Sequence, residues 1–94
     1  MNITGTVSDR SDFLKALRSR ELSKIKEARE WLLKIIRLTR NPDEGKIIAL
    51  NRLQQELLSV LLNYRLDLPE GEINEEDKIF LKDEIERLGG ILNN

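Results

Sequence analysis

The acidic run in the second half of the chain comes nearest to a set of residues with chemistry to perform. Glu70, Glu72, Glu75, Glu76 and Asp77 fall within eight positions, and clustered carboxylates are the ligands of hard divalent cations. With Gly71 as the turn glycine at the sixth position of a calcium loop, Ile73 and Asp77 take positions eight and twelve. Positions one and three are then Leu66 and Leu68, which have no oxygen to offer the ion. The run therefore reads as a solvated acidic surface beside a helix start, suited to a basic partner, with no resident metal. The serines have no histidine to act as their base, because the chain has neither histidine nor cysteine. That also removes thiolate chemistry and the commonest metal ligand. There is no glycine-rich phosphate loop. These absences predict a protein that is not an enzyme and binds no cofactor.

The cations are a second candidate set. Arg18, Arg20, Lys24, Lys26, Arg29, Lys34, Arg37 and Arg40 all precede the middle of the chain, and contacts from them to phosphates would weaken with salt. Wrapped on a helix, Lys26 and Arg37 lie on one flank and Lys24 on the other, with Glu27 and Glu30 between them. The basic half is thus interleaved with acids. Overall, residues 1–40 carry a net charge of +5 and residues 41–94 a net charge of -6, within a total of -1. Such a division bears on partners and orientation, not on fold.

The elements that position these groups are helical. Ser8 and Ser11, each followed by acids, are candidate caps for a first helix at 9–19, and the apolar phase changes near Ser19. A second helix over 20–40 places Leu22, Ile25, Ala28, Leu32, Ile35 and Ile36 on one face. Asn41-Pro-Asp-Glu44 predicts a capped restart, with Asn41 as the cap and Pro42 as the first helical residue. The third helix, 42–65, carries Leu50, Leu53, Leu57, Val60 and Tyr64 at heptad spacing. Ile47, Ile48, Leu58, Leu61 and Leu62 widen its apolar surface, which predicts a central helix buried on most sides. Asn74 then caps a fourth helix over 75–88 with Phe80, Leu81, Ile85 and Leu88 inward. Gly89-Gly90 is expected to end it and let Ile91 and Leu92 fold back. The predicted fold is all-α, a compact bundle of about four helices in one domain spanning 1–94. No run approaches the ~18 apolar residues of a membrane span, and the start lacks a signal-peptide pattern, so a cytoplasmic protein with no membrane partner is expected. The many charges and absent cysteine fit a thermophile, against which stand seven asparagines.

Trp31 and Leu38 lie at the margin of the second helix's apolar stripe. Two readings of Trp31 stand: an edge residue of the core, or, with Leu38, Arg29 and Arg37, part of a partner-binding patch, where tryptophan and arginine are enriched. Arg29, which intrudes into the stripe, is either a snorkelling side chain or a charged contact of that patch.

Three segments carry a family resemblance. Arg20-Glu-Leu-Ser-Lys-Ile-Lys-Glu-Ala-Arg-Glu-Trp-Leu-Leu-Lys-Ile-Ile, Asn41-Pro-Asp-Glu-Gly-Lys and Leu68-Pro-Glu-Gly-Glu-Ile-Asn-Glu-Glu-Asp-Lys-Ile-Phe-Leu together resemble the small helical accessory subunits that bind crenarchaeal B-family replicative DNA polymerases. The resemblance spans about residues 10–92. The layout is also similar to the helical domain of archaeal GINS proteins, without the second domain that accompanies it there. Both imply an archaeal replication scaffold with no chemistry of its own. Glu56-Leu-Leu-Ser-Val-Leu-Leu-Asn-Tyr-Arg65 faintly resembles helical chorismate mutases, but such a site needs convergent cations where this helix offers leucine. The expected function is a non-catalytic subunit that binds and stabilises a larger protein assembly, most plausibly a DNA polymerase holoenzyme, with any DNA contact indirect. A small DNA-binding helical domain and a self-associating helical protein are the alternatives.

Overall fold

Asp9, one residue after the first candidate cap, starts the first helix in the computed structural model, which describes residues 7–67 and 73–93 and, for Leu66 and Asp67, the backbone alone. Its carboxylate accepts the Asp12 amide at 2.8 Å, and α1 runs Arg10–Arg18. Neither Ser8 nor Ser11 is the cap. Ser8 instead donates its hydroxyl and its amide to the Asp12 carboxylate, at 2.8 and 3.1 Å. The Ser8 hydroxyl first, and then its amide, hold the Asp12 carboxyl below the usual carboxylate range. A carboxylate depressed in the folded state contributes stability above its unfolded pKa and loses it as pH falls through the folded value. This start is therefore intact at neutral pH and weakens only in acid.

The expected break near Ser19 is present. The Ser19 hydroxyl donates to the Ala16 carbonyl at 2.6 Å, Arg20 takes a left-handed φ of 63°, and α2 then runs Leu22–Leu38. Phe13, Ala16 and Leu17 of α1 are buried, as are Ile25, Ala28 and Leu32 of α2, and the two helices pack together. Full burial of one such large apolar side chain is worth about 1.5–3 kcal/mol. The six residues therefore hold two short helices that would be marginal alone.

The helix α3 spans Glu44–Asp67, two residues later than the proline signal predicts. Asn41 sits at φ 47°, a conformation asparagine tolerates better than most residues, and Asp43 is the cap: its carboxylate accepts the Lys46 amide at 2.8 Å. Pro42 thus precedes the cap instead of opening the helix. Burial on most sides is also not what α3 shows. Leu53, Gln54, Leu57 and Leu61 are buried, Leu58, Val60, Leu62 and Tyr64 are half-buried, and Ile47 and Ile48 are 45 % and 53 % exposed. The helix has one buried stripe, and its first turns stand in solvent.

The helix α4 spans Glu75–Leu92, and the Asn74 side chain accepts the Asp77 amide at 2.8 Å. Leu81 and Leu88 are buried with Glu84 between them, while Phe80 and Ile85 are half-buried. Gly89-Gly90 does not end this helix: it continues to Leu92, and the Asn93 amide donates to the Gly89 carbonyl at 3.0 Å. Ile91 and Leu92 are its last turn, not a folded-back clasp. Continuing through glycine costs about 1 kcal/mol per residue, which the retained hydrogen bonds offset here.

The described residues are all-α, with four helices and no strand. The chain divides into two compact units, Met1–Leu50 and Asn51–Asn94. The first contains α1, α2 and the start of α3, and the second the rest of α3 and α4. No helix among the described residues is long and apolar enough to cross a membrane.

Candidate functional site

Within the first unit, the face of α2 beside its buried stripe holds the sequence-predicted residues Trp31 and Arg37. Phe13 fixes it from below. Trp31 is half-buried and its ring lies 5.5 Å from that of Phe13, tilted by 40°, so the indole is tied to the core along one side. Tilted aromatic pairs of this kind add about 0.5–1.5 kcal/mol beyond their burial. Trp31 thus has one side against Phe13 and another turned away from it. Its remaining surface lines a groove of about 330 Å³ with Val7, Glu27, Glu30, Lys34 and Arg37. Its lining is apolar at Val7 and Trp31 and charged elsewhere, acidic toward the start of α2 and basic toward its end.

The other members of the patch are placed differently. Arg37 is exposed and lines the groove. Leu38 is 65 % exposed, seven residues beyond Trp31 and so on the same line of the helix, but it is not part of the groove wall. Arg29 is the least available. Its guanidinium lies 2.9 Å from the Glu30 carboxylate, with the side chain three-quarters covered. Lys24 likewise pairs with Glu21, at 3.2 Å. Lys24 and Arg29, both considered for phosphate contact, thus have carboxylate partners at the cap of α2 and within it.

The acidic surface is divided in its placement. Glu70 and Glu72 lie outside the described residues. Glu75 and Glu76 are exposed in the first turn of α4, and Asp77 there is half-buried with its amide on the Asn74 cap. Negative charge is favourable at that end of a helix, which explains the acids without a ligand. Among the described residues, no three Asp or Glu side chains come together as a metal site.

One polar pair escapes a reading of apolar periodicity. Glu84 is 4 % exposed and binds Arg87 in two places, Nε to Oε1 at 3.1 Å and Nη2 to Oε2 at 2.5 Å. The bond to Glu84 raises the Arg87 pKa above its ordinary value, against the opposing effect of partial burial. Three-residue spacing between Glu84 and Arg87 is the visible signal, and what hid it was the position of a charged residue inside the Leu81 to Leu88 stripe. Both residues belong to the second unit.

The chain was compared with protein-family models, curated proteins and solved structures, and none of them matches it.

Proposed function

We propose that this chain is a non-catalytic accessory subunit that docks through the exposed side of α2 onto a larger protein. The observation that carries the reading is Trp31, anchored on Phe13 at 5.5 Å and presenting its free side to a groove walled by Lys34 and Arg37. A rigid aromatic beside arginine is the usual anchor of a protein interface, because it contributes large contact area at little cost in entropy. The segments that resemble polymerase accessory subunits supply the partner: a B-family replicative DNA polymerase, whose assembly the subunit would stabilise by mass action. The carboxylates interleaved with the cations favour this over direct docking on DNA.

The test is affinity capture from native extract of the source organism with the tagged chain as bait, read by mass spectrometry. Recovery of a B-family polymerase in stoichiometric amount is expected. Recovery of the bait alone would sink the proposal.

A further inference from the structure

The face of α2 that lines the Trp31 groove carries its charges in an order that reverses about one point. Along the helix come Glu27, Glu30, Trp31, Lys34 and Arg37. At 100° per residue all five fall within an arc of about 120°, centred away from the buried Ile25, Ala28 and Leu32. Glu30 and Lys34 stand equally far from position 32, on opposite sides of it, and so do Glu27 and Arg37. The whole face lies within one unit, Met1–Leu50.

A row of charges that changes sign about one point is complementary to its own reverse. When two copies of α2 lie antiparallel with position 32 of each at the same level, Glu27 of each copy is level with Arg37 of the other, and Glu30 with Lys34. Both matches come from a single register. With a rise of about 1.5 Å per residue, the two Trp31 side chains then start about 3 Å apart along the axis, one on each side of the twofold. In a parallel, in-register pair each of these residues would meet its own copy, acid on acid and cation on cation. Ion pairs already made inside the chain are compatible with the antiparallel arrangement. Glu30 accepts from Arg29 at 2.9 Å with its side chain 72 % exposed, and a carboxylate has room for further donors. Lys24, on the same line of the helix as Trp31, is paired with Glu21 at 3.2 Å and falls opposite residue 40, beyond the end of α2.

We propose that this face is an isologous contact: a second copy of the chain, lying antiparallel, covers the Trp31 groove of the first and has its own groove covered in return. The two indoles supply the apolar centre, and the charge matches fix direction and register. Because both copies use the same face, the assembly closes at two. One helix face a side falls short of the ~1,200 Å² of a standard interface, so the dimer is weak and salt-sensitive. The contact occupies the face assigned above to docking, so a partner and a second copy exclude each other. It does not rest on that docking, and the purified chain tests it in the partner's absence.

The experiment is sedimentation velocity of the purified chain from about 10 to 500 µM in about 50 mM and about 500 mM salt, with the emission of Trp31, the one tryptophan, read over the same series. At low salt the weight-average mass should rise from 10.9 kDa toward twice that value and no further. The emission should shift to the blue as the indoles are covered, and high salt should reverse both changes. Glu27→Lys with Glu30→Lys makes the face basic throughout, and Lys34→Glu with Arg37→Glu makes it acidic throughout. Each double variant should stay monomeric alone, and the two should associate when mixed. All four substitutions in one chain restore the alternation in reverse and should restore the dimer, with circular dichroism checking that every variant keeps its helices. A monomer across the whole range, a mass that climbs past the dimer, association without a shift in emission, or indifference to the charge reversals would overturn the proposal. So would a fourfold variant that keeps its helices and stays monomeric. None of these outcomes would count against docking of the chain on a larger protein.

Discussion

The two units solve the same packing problem with different chemistry. In Met1–Leu50 the buried side chains among the described residues are all apolar, from Phe13 to Leu32, and the side chain that links core to surface is aromatic: Trp31 on Phe13. In Asn51–Asn94 the buried set includes Gln54 and Glu84, and the link is ionic: Arg87 on Glu84. An aromatic link keeps its strength across pH and salt and can offer its free face to a partner. A buried carboxylate must be desolvated and then matched, so its guanidinium is committed to it and serves specificity of packing more than recognition. The charges follow the same division. The first unit carries eleven Lys or Arg against seven Asp or Glu, a net of +4, and the second five against ten, a net of -5. The aromatic link and the basic balance coincide in the unit that carries the candidate groove.

The comparison is broken most directly at Phe13. Phe13→Ala should cost about 3–5 kcal/mol in denaturant unfolding and shift the emission of Trp31, the one tryptophan, toward the red in the folded state. An unchanged midpoint and spectrum would mean that the aromatic pair does not organise the first unit. In the second unit, Arg87→Ala should cost about 2 kcal/mol, because it removes two charge-assisted bonds from a buried carboxylate. Unfolding curves that superpose on the parent's would reduce the pair to a surface contact. The smallest effect is a gain. Gly90→Ala should stabilise by about 0.5–1 kcal/mol, since the residue is helical and an added Cβ meets nothing within 4 Å. A loss of stability there would show that α4 needs the backbone freedom of glycine at its end.

Much of the fold was legible in the residues. The all-α class, the break at Ser19, the restart before α3 and the Asn74 cap follow from caps and 3.6-residue periodicity, which are local properties. Less visible was which of several neighbouring polar residues does the capping: Asp9 and Asp43 act where serine and asparagine were equally plausible acceptors, and Asp12 is already engaged by Ser8. Burial is not local. Ile47 and Ile48 continue the apolar pattern of α3, yet periodicity shows only which residues share a face, not whether another element covers it. Glu84 is the converse, a charged residue drawn into the buried stripe because Arg87 lies one turn away. Gly89-Gly90 permits a left-handed stop without requiring one, and the helix passes through it. At the candidate site, Trp31 and Arg37 fall on one groove, whereas Arg29 turns to Glu30, a neighbour too close in sequence to be anticipated from helix-face spacing.

Docking through the exposed face of α2 is tested most directly by measuring the affinity of the captured partner for the parent chain, Trp31→Ala and Arg37→Ala, alongside the helical content of each. Both substitutions should weaken binding by about tenfold or more, as expected for interface anchors, with circular dichroism close to the parent's. Unchanged affinity in Arg37→Ala together with a loss of helicity in Trp31→Ala that matches its loss of binding would contradict the account, and would make Trp31 a core residue alone.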